Sequence, residues 1–198
     1  DKINQVGGKL AALIIEPMIG AGGCIPADAD FLKGLRRATE EAGALLIFDE
    51  VMTSRHGPSG LHGMYGLRPD LVTFGKYVGG GLSFGAFGGR ADILDRFDPS
   101  RPDAWPHAGT FNNNVLSMTA GYVGLSEIYT PEVAQTFFDQ GERCRQQLEV
   151  LLSDLNLPVH VTGMGSMMAL HFGTQGPTAP YVLPPDYSGL YELVHLKM

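Results

Sequence analysis

Two short apolar runs, each ending on an ionisable residue, dominate the hydropathy pattern: Ala44-Leu45-Leu46-Ile47-Phe48-Asp49-Glu50-Val51 and, downstream, Asp70-Leu71-Val72-Thr73-Phe74-Gly75-Lys76. Continuous apolar runs of this length mark buried parallel strands, and their charged ends are delivered to the carboxyl edge of the sheet. A third run, Ala11-Ala12-Leu13-Ile14-Ile15, is closed by Glu16-Pro17. Proline pushes the preceding residue out of the helical region, so this run reads as a strand ending at Glu16. Between it and Ala44 lie a glycine loop over 19–23, helix-start signals over 26–30, and Phe31, Leu32, Leu35 and Ala38 at helical spacing until Gly43. Strand, loop, helix, strand is one βαβ unit.

After Val51 the apolar pattern breaks into a long loop containing Ser54, His56, Gly57, Pro58, Ser59, Gly60 and Gly63, of the kind that carries function. The run ending at Lys76 is followed by Gly79-Gly80-Gly81 and Phe84-Gly85-Ala86-Phe87-Gly88-Gly89. So many glycines imply close backbone approach to a ligand or a tight sheet crossing. Residues 91–97 predict a short helix, 99–106 a loop, and 107–111 a brief extended piece before Asn112, Asn113 and Asn114, which are good caps. Val115, Leu116, Thr119, Tyr122, Val123 and Tyr129 mark the next helix. Thr130-Pro131 then opens a long one through Phe137, Cys144, Leu148, Leu151, Leu152 and Leu155, stopped by Pro158. Residues 159–172 read as one or two strands turning at Gly163-Met164-Gly165, and 174–189 as a Pro- and Gly-rich loop. The expected fold is α/β, with 1–125 part of a large domain built on a mostly parallel sheet flanked by helices. Residues 126–198 are expected to form an interdomain helix and the start of a small α+β domain.

Composition narrows the chemistry. With 44% hydrophobic and 18% charged residues over 198 positions, the chain can bury a core. A net charge of −7 argues against a nucleic-acid partner, which would need a basic stripe, and Lys33, Arg36 and Arg37 read as a solvated helix face. Cys24 and Cys144 have no metal-ligand spacing and read as intracellular thiols, so a cytoplasmic location without a metal site is expected. No apolar run approaches the roughly 18 residues of a membrane span. The chain starts at Asp1 and ends at Met198 after an apolar, helix-like segment, and is expected to be a piece of a longer protein in which a targeting segment could lie. His56, His62 and His107 read as loop or hydrogen-bonding histidines, and Met164, Met167 and Met168 as core filler.

A strand-end aspartate and a strand-end lysine are what a pyridoxal phosphate site requires. The amine condenses with the cofactor aldehyde as a Schiff base, and the carboxylate keeps the pyridine nitrogen protonated so that the ring accepts electrons. The run 45–50 also has the form of a Walker B strand of P-loop nucleotide hydrolases. That alternative needs G-x-x-x-x-G-K-[ST], whereas Gly75-Lys76 is followed by Tyr77 and preceded, five residues before Gly75, by Asp70.

Ile14-Ile15-Glu16-Pro17, Leu46 through Thr53, Asp70 through Lys76 with Gly79-Gly80-Gly81-Leu82, and His107-Ala108-Gly109-Thr110-Phe111 together resemble class III aminotransferases. Within that class the chain is most similar to glutamate-1-semialdehyde aminomutases and β-amino-acid aminotransferases. The resemblance implies a fold type I enzyme that transfers an amino group from an amino acid to a keto acid, or within an amino-aldehyde, with pyridoxal 5′-phosphate. It implies that Lys76 is the Schiff-base lysine and proton carrier, Asp49 the partner of the pyridine nitrogen, and Val51 the contact on one ring face, its β-branch being stiff. Thr110 matches a residue that hydrogen-bonds the cofactor phosphate across the dimer interface, so a homodimer with its site between subunits is implied. Glu16 and Glu50 belong to the same motifs and are assigned to the hydrogen-bond network around the cofactor.

Two departures accompany the match. Related ω-aminotransferases carry a substrate-gating glutamate in the loop after Glu-Pro, where this chain reads Gly20-Ala21-Gly22-Gly23, which disfavours the γ- and ω-amine branch. Family members are also longer, and the missing parts would hold the main phosphate-cradling loop and the aromatic on the other ring face. The competing expectation is therefore a catalytically inactive, truncated remnant of such an enzyme.

Overall fold

The apolar runs become neighbouring strands. The computed structural model describes residues 2–173, 176–179, 189, 192 and 193. The chain runs α1 (Lys2–Val6), β1 (Ala12–Ile15), β2 (Met18–Ile19), β3 (Ile25–Pro26), α2 (Ala29–Glu41), β4 (Leu45–Asp49), α3 (Gly60–Met64), β5 (Leu71–Gly75), β6 (Gly85–Gly89), α4 (Ala91–Leu94), α5 (Val115–Val123), α6 (Pro131–Asp154), β7 (Val159–Met164) and β8 (Met167–Phe172). It divides into two compact units, Asp1–Pro17 with Asp28–Ala134, and Met18–Ala27 with Gln135–Met198.

The first unit is built on a four-stranded sheet in the order β1-β4-β5-β6. β1, β4 and β5 run parallel, with Ala12 opposite Leu45 and Phe48 opposite Val72, so the expected βαβ unit is present. α2 starts where Asp28 accepts hydrogen bonds from the amides of Asp30 and Phe31, and it packs on β4. Leu46 and Phe48 of β4, Val72 of β5, Leu32 of α2 and Leu61 of α3 are buried, and they form the core on that face. The opposite face differs from the fully buried strands expected: Ile14 is 59% exposed, and Leu45, Ile47 and Leu71 are half-buried. Alternation along β4 separates the two faces, and α2 lies against only one of them.

The glycine run after Lys76 resolves into an edge strand, since β6 pairs antiparallel with β5 with Thr73 opposite Phe87. No strand is assigned over 107–111, and its end bends into a turn at 110–113, with the Asn112 amide donating to the Gly109 carbonyl at 3.0 Å. Asn114 caps α5 as the sequence suggests, accepting from the amides of Leu116 and Ser117. The helix then widens into a π turn over Gly124–Ile128 rather than continuing unbroken to Tyr129.

In the second unit the glycine loop is flanked by the two-residue strands β2 and β3, which pair antiparallel. β7 and β8 form a hairpin, with Val159 opposite Phe172. The Thr162 hydroxyl donates to the Gly23 carbonyl at 2.6 Å, and His171 Nε2 lies 2.9 Å from the same oxygen. Burial pushes the His171 imidazole below its ordinary value. Glu142 on α6 accepts the Gly165 amide at 2.7 Å and so holds the hairpin turn. The proline- and glycine-rich loop expected over 174–189 lies for the most part outside the described residues. Among the described residues no helix is long and apolar enough to cross a membrane.

Candidate active site

Asp49 is the last residue of β4 and stands opposite Thr73 of β5. The chain leaves the sheet at once: the Glu50 amide still donates to the Thr73 carbonyl at 3.2 Å, and Ser54 already donates back to the Glu50 carbonyl at 3.0 Å. This turn brings the Val51 amide to within 3.1 Å of Asp49 Oδ1, which also accepts the Thr73 hydroxyl at 2.9 Å. Among the described residues no donor reaches Oδ2, so one carboxylate oxygen is held and the other is open.

Lys76 follows β5 directly, and its backbone adopts the left-handed region with φ of 54°. Its side chain is exposed, and among the described residues no hydrogen bond or ion pair engages its amine. The turn it opens is anchored by backbone-to-backbone packing on α5: a side chain at Gly121 would collide with the Val78 carbonyl, and one at Gly80 with the backbone of Ala120. Only glycine allows that approach. Val51 completes the group, because a Cβ at Gly75 would sit 3.2 Å from Val51 Cγ1. The ends of β4 and β5 thus place Asp49, Val51 and Lys76 along one edge.

The other residues singled out in the sequence lie elsewhere on this unit. Ile15, the last residue of β1, pairs with Phe48, so Glu16 follows β1 at the same sheet edge, one strand from Asp49, with its side chain exposed. Glu50 is fully buried and turned into the following loop, where it accepts the amides of Leu61 at 2.7 Å and His62 at 2.8 Å and the Thr53 hydroxyl at 3.3 Å. The His62 ring nitrogen Nδ1 reaches the same carboxylate. Thr110 sits in the exposed turn after His107, and no hydrogen bond among the described residues links it to Asp49 or Lys76. Thr73, not singled out in the sequence, is the side chain that reaches Asp49; the signal for it is the strand register, which a single sequence does not carry.

A cavity of about 600 Å³ opens beside Thr73 and is lined by Phe84, Phe87, Phe97, His107 and Asn114 among others. Phe87, Phe97 and His107 meet edge to face at 5.6 to 5.8 Å, an arrangement that suits aromatic rings. At the other end of β5, Asp70 accepts the Leu46 amide at 2.7 Å, Arg36 at 2.8 Å and Arg90 at 2.9 Å. Burial works to raise the Asp70 carboxyl, but the Leu46 amide and the Arg90 and Arg36 guanidiniums outweigh it and hold the group below its ordinary value.

The sequence profile of "Aminotransferase class-III" matches residues 2–192. The chain belongs to the class III aminotransferase family. Among curated members it is 51% identical over 171 residues to β-phenylalanine transaminase of Variovorax paradoxus, which covers 86% of this chain and 39% of that protein. It is 41% identical over 194 residues to glutamate-1-semialdehyde 2,1-aminomutase of Pyrobaculum arsenaticum, covering 98% and 45%. Class III structures superpose closely: β-phenylalanine aminotransferase from Variovorax paradoxus does so with a TM-score of 0.87 at 48% identity over 90% of this chain and 41% of that one. A transaminase solved with pyridoxal phosphate bound gives a TM-score of 0.79 at 32% identity over 86% and 40%. The chain thus spans about two fifths of the length of these class III relatives.

Class III aminotransferases use pyridoxal phosphate, and the residues present fit part of that group. An open carboxylate oxygen suits a protonated ring nitrogen, an unengaged amine suits the aldehyde, and a stiff Val51 packed beside Gly75 suits a flat ring.

Proposed function

We propose that the full-length protein transfers amino groups with pyridoxal 5′-phosphate, taking them from an amino acid to a keto acid. The observation that carries this reading is the pairing, on adjacent parallel strand ends, of a half-held carboxylate at Asp49 with an unengaged amine at Lys76. The cofactor supplies an aldehyde that bonds amines and a ring that accepts the electron pair left when a proton departs. Lys76 would bond that aldehyde through its amine and, with the amine free, would carry the proton. Asp49 Oδ2 would accept the ring N–H, Val51 would hold one ring face, and Thr110 would donate to the cofactor phosphate across a homodimer interface. Glu16 and Glu50 serve the surrounding network, Glu50 by fixing the loop that follows the Asp49 turn.

The higher identity to a β-phenylalanine transaminase than to an aminomutase favours a β-amino acid donor over exchange within glutamate semialdehyde. The free thiols at Cys24 and Cys144 support a reducing, cytoplasmic setting. Borohydride reduction of the full-length protein loaded with cofactor, followed by peptide mapping, tests the assignment: a single phosphopyridoxyl group on Lys76 is expected, and an adduct retained elsewhere in Lys76→Ala sinks it. Parallel assays with β-phenylalanine plus a keto acid and with glutamate semialdehyde then decide the substrate. Turnover of the semialdehyde alone overturns the donor proposed.

A further inference from the structure

Asp49 Oδ1 is held by two donors of different kinds. One is the Val51 amide at 3.1 Å, which no substitution short of proline removes; the other is the Thr73 hydroxyl at 2.9 Å, which belongs to the neighbouring strand. The second torsion of an aspartate is broad, so one donor leaves its carboxylate plane poorly defined. Two donors converging on one oxygen from separate elements define that plane. Thr73 is suited to this because its strand register sets it directly opposite Asp49, with Phe87 opposite it on the other side, and because a β-branched side chain is stiff at its first torsion. It is also half-buried, which shelters the bond from competing water.

We propose that Thr73 is a positioning residue: by holding Asp49 Oδ1 it turns Oδ2 outward, to where the nitrogen of the bound pyridoxal ring is received. The proposal rests on the reading of Asp49 as the carboxylate of the cofactor. In this role Thr73 acts through Asp49.

The test uses the full-length protein as wild type, Thr73→Val, Thr73→Ser and Asp49→Ala, together with the double variant Asp49→Ala with Thr73→Val. Three readouts are followed: the dissociation constant of pyridoxal phosphate by equilibrium dialysis, the visible absorbance of the bound cofactor across pH, and kcat against KM for the amino donor. Thr73→Val is near-isosteric and removes only the donor. A hydrogen bond to a charged group is lost, so cofactor affinity and kcat each fall about tenfold, with KM little changed. Thr73→Ser restores both. In the Asp49→Ala background the Thr73→Val change disappears, because the group through which it acts is gone. Should Thr73→Val not fold, Thr73→Ala carries the same expectation without placing a methyl against the carboxylate. Wild-type affinity, absorbance and kcat in Thr73→Val overturn the proposal, as does an equal loss with and without Asp49. A wild-type protein that takes up no cofactor overturns the functional reading itself, which separates the two failures.

Discussion

A lysine in the left-handed backbone region stores strain, since the Cβ crowds the carbonyl at a cost of about 1 kcal/mol or more, and such residues cluster at functional sites. Lys76 is in that state, at φ 54°. Glycine is free of the penalty, so cofactor-free Lys76→Gly should be about 1 kcal/mol more stable than cofactor-free Lys76→Ala. Thermal unfolding of the two full-length variants checks this; equal midpoints would mean that the turn relaxes around residue 76. Chemistry makes the complementary prediction for Asp49. Asp49→Ala should retain cofactor on Lys76 but slow proton abstraction by orders of magnitude, if Asp49 is the ring-nitrogen partner proposed above. Near-normal turnover would show that Asp49 is not that partner. Asp49 and Lys76 were legible because each ends an apolar run. Thr73 was not, since its value lies in a partner 24 residues away that only the strand register brings alongside.

At the scale of elements, β4 and β5 were readable as apolar runs and α2 as an amphipathic stretch between a cap and Gly43, although only one face of the two strands is buried. The strands that escaped notice lack such a pattern. β6 is Gly85-Ala86-Phe87-Gly88-Gly89, a composition with poor strand propensity held by pairing to β5, and β2 and β3 are two residues each. The turn at 110–113 cuts into the end of the extended piece expected over 107–111 because asparagine accommodates turn geometry, with Asn113 at φ 56°. Asp70 is the tie between these elements, joining β4 through Leu46, α2 through Arg36 and the residue after β6 through Arg90. Its carboxyl is lowered in the folded chain relative to the unfolded one. The stability it contributes is therefore present above its unfolded pKa of about 4 and lost as pH falls through the lower folded value. Asp70→Ala should cost about 2–3 kcal/mol at pH 7, and the gap between variant and wild type should narrow below about pH 4. Urea unfolding at a series of pH values measures it, and a gap constant with pH would show that the ion pairs contribute nothing.

At the scale of the whole molecule, the two faces of the sheet are treated unequally. Leu46, Phe48 and Val72 point toward α2 and are buried, whereas Ile14 on the other face is 59% exposed. Parallel sheets are covered on both faces, because their crossovers place helices on either side. Phe111, Val115, Leu116 and Tyr122 add further exposed apolar surface along α5 and the turn before it. The chain spans 39% of β-phenylalanine transaminase and 45% of the aminomutase, so most of the length of such a protein is available to cover these surfaces. Contiguous apolar patches on a folded chain bind hydrophobic dyes and drive association. The isolated 198-residue chain should therefore enhance the fluorescence of anilinonaphthalene sulfonate and form concentration-dependent oligomers in sedimentation velocity. The full-length protein should do neither beyond the homodimer proposed for it. Replacing Ile14 by Thr, which keeps the β-branch suited to a strand and adds a polar group, should weaken both effects in the isolated chain. Full-length stability should fall at the same time, because the hydroxyl would then be buried without a partner. An isolated chain that is monomeric and silent to the dye would show that the second face is closed within these 198 residues, and the exposed isoleucine would need another explanation.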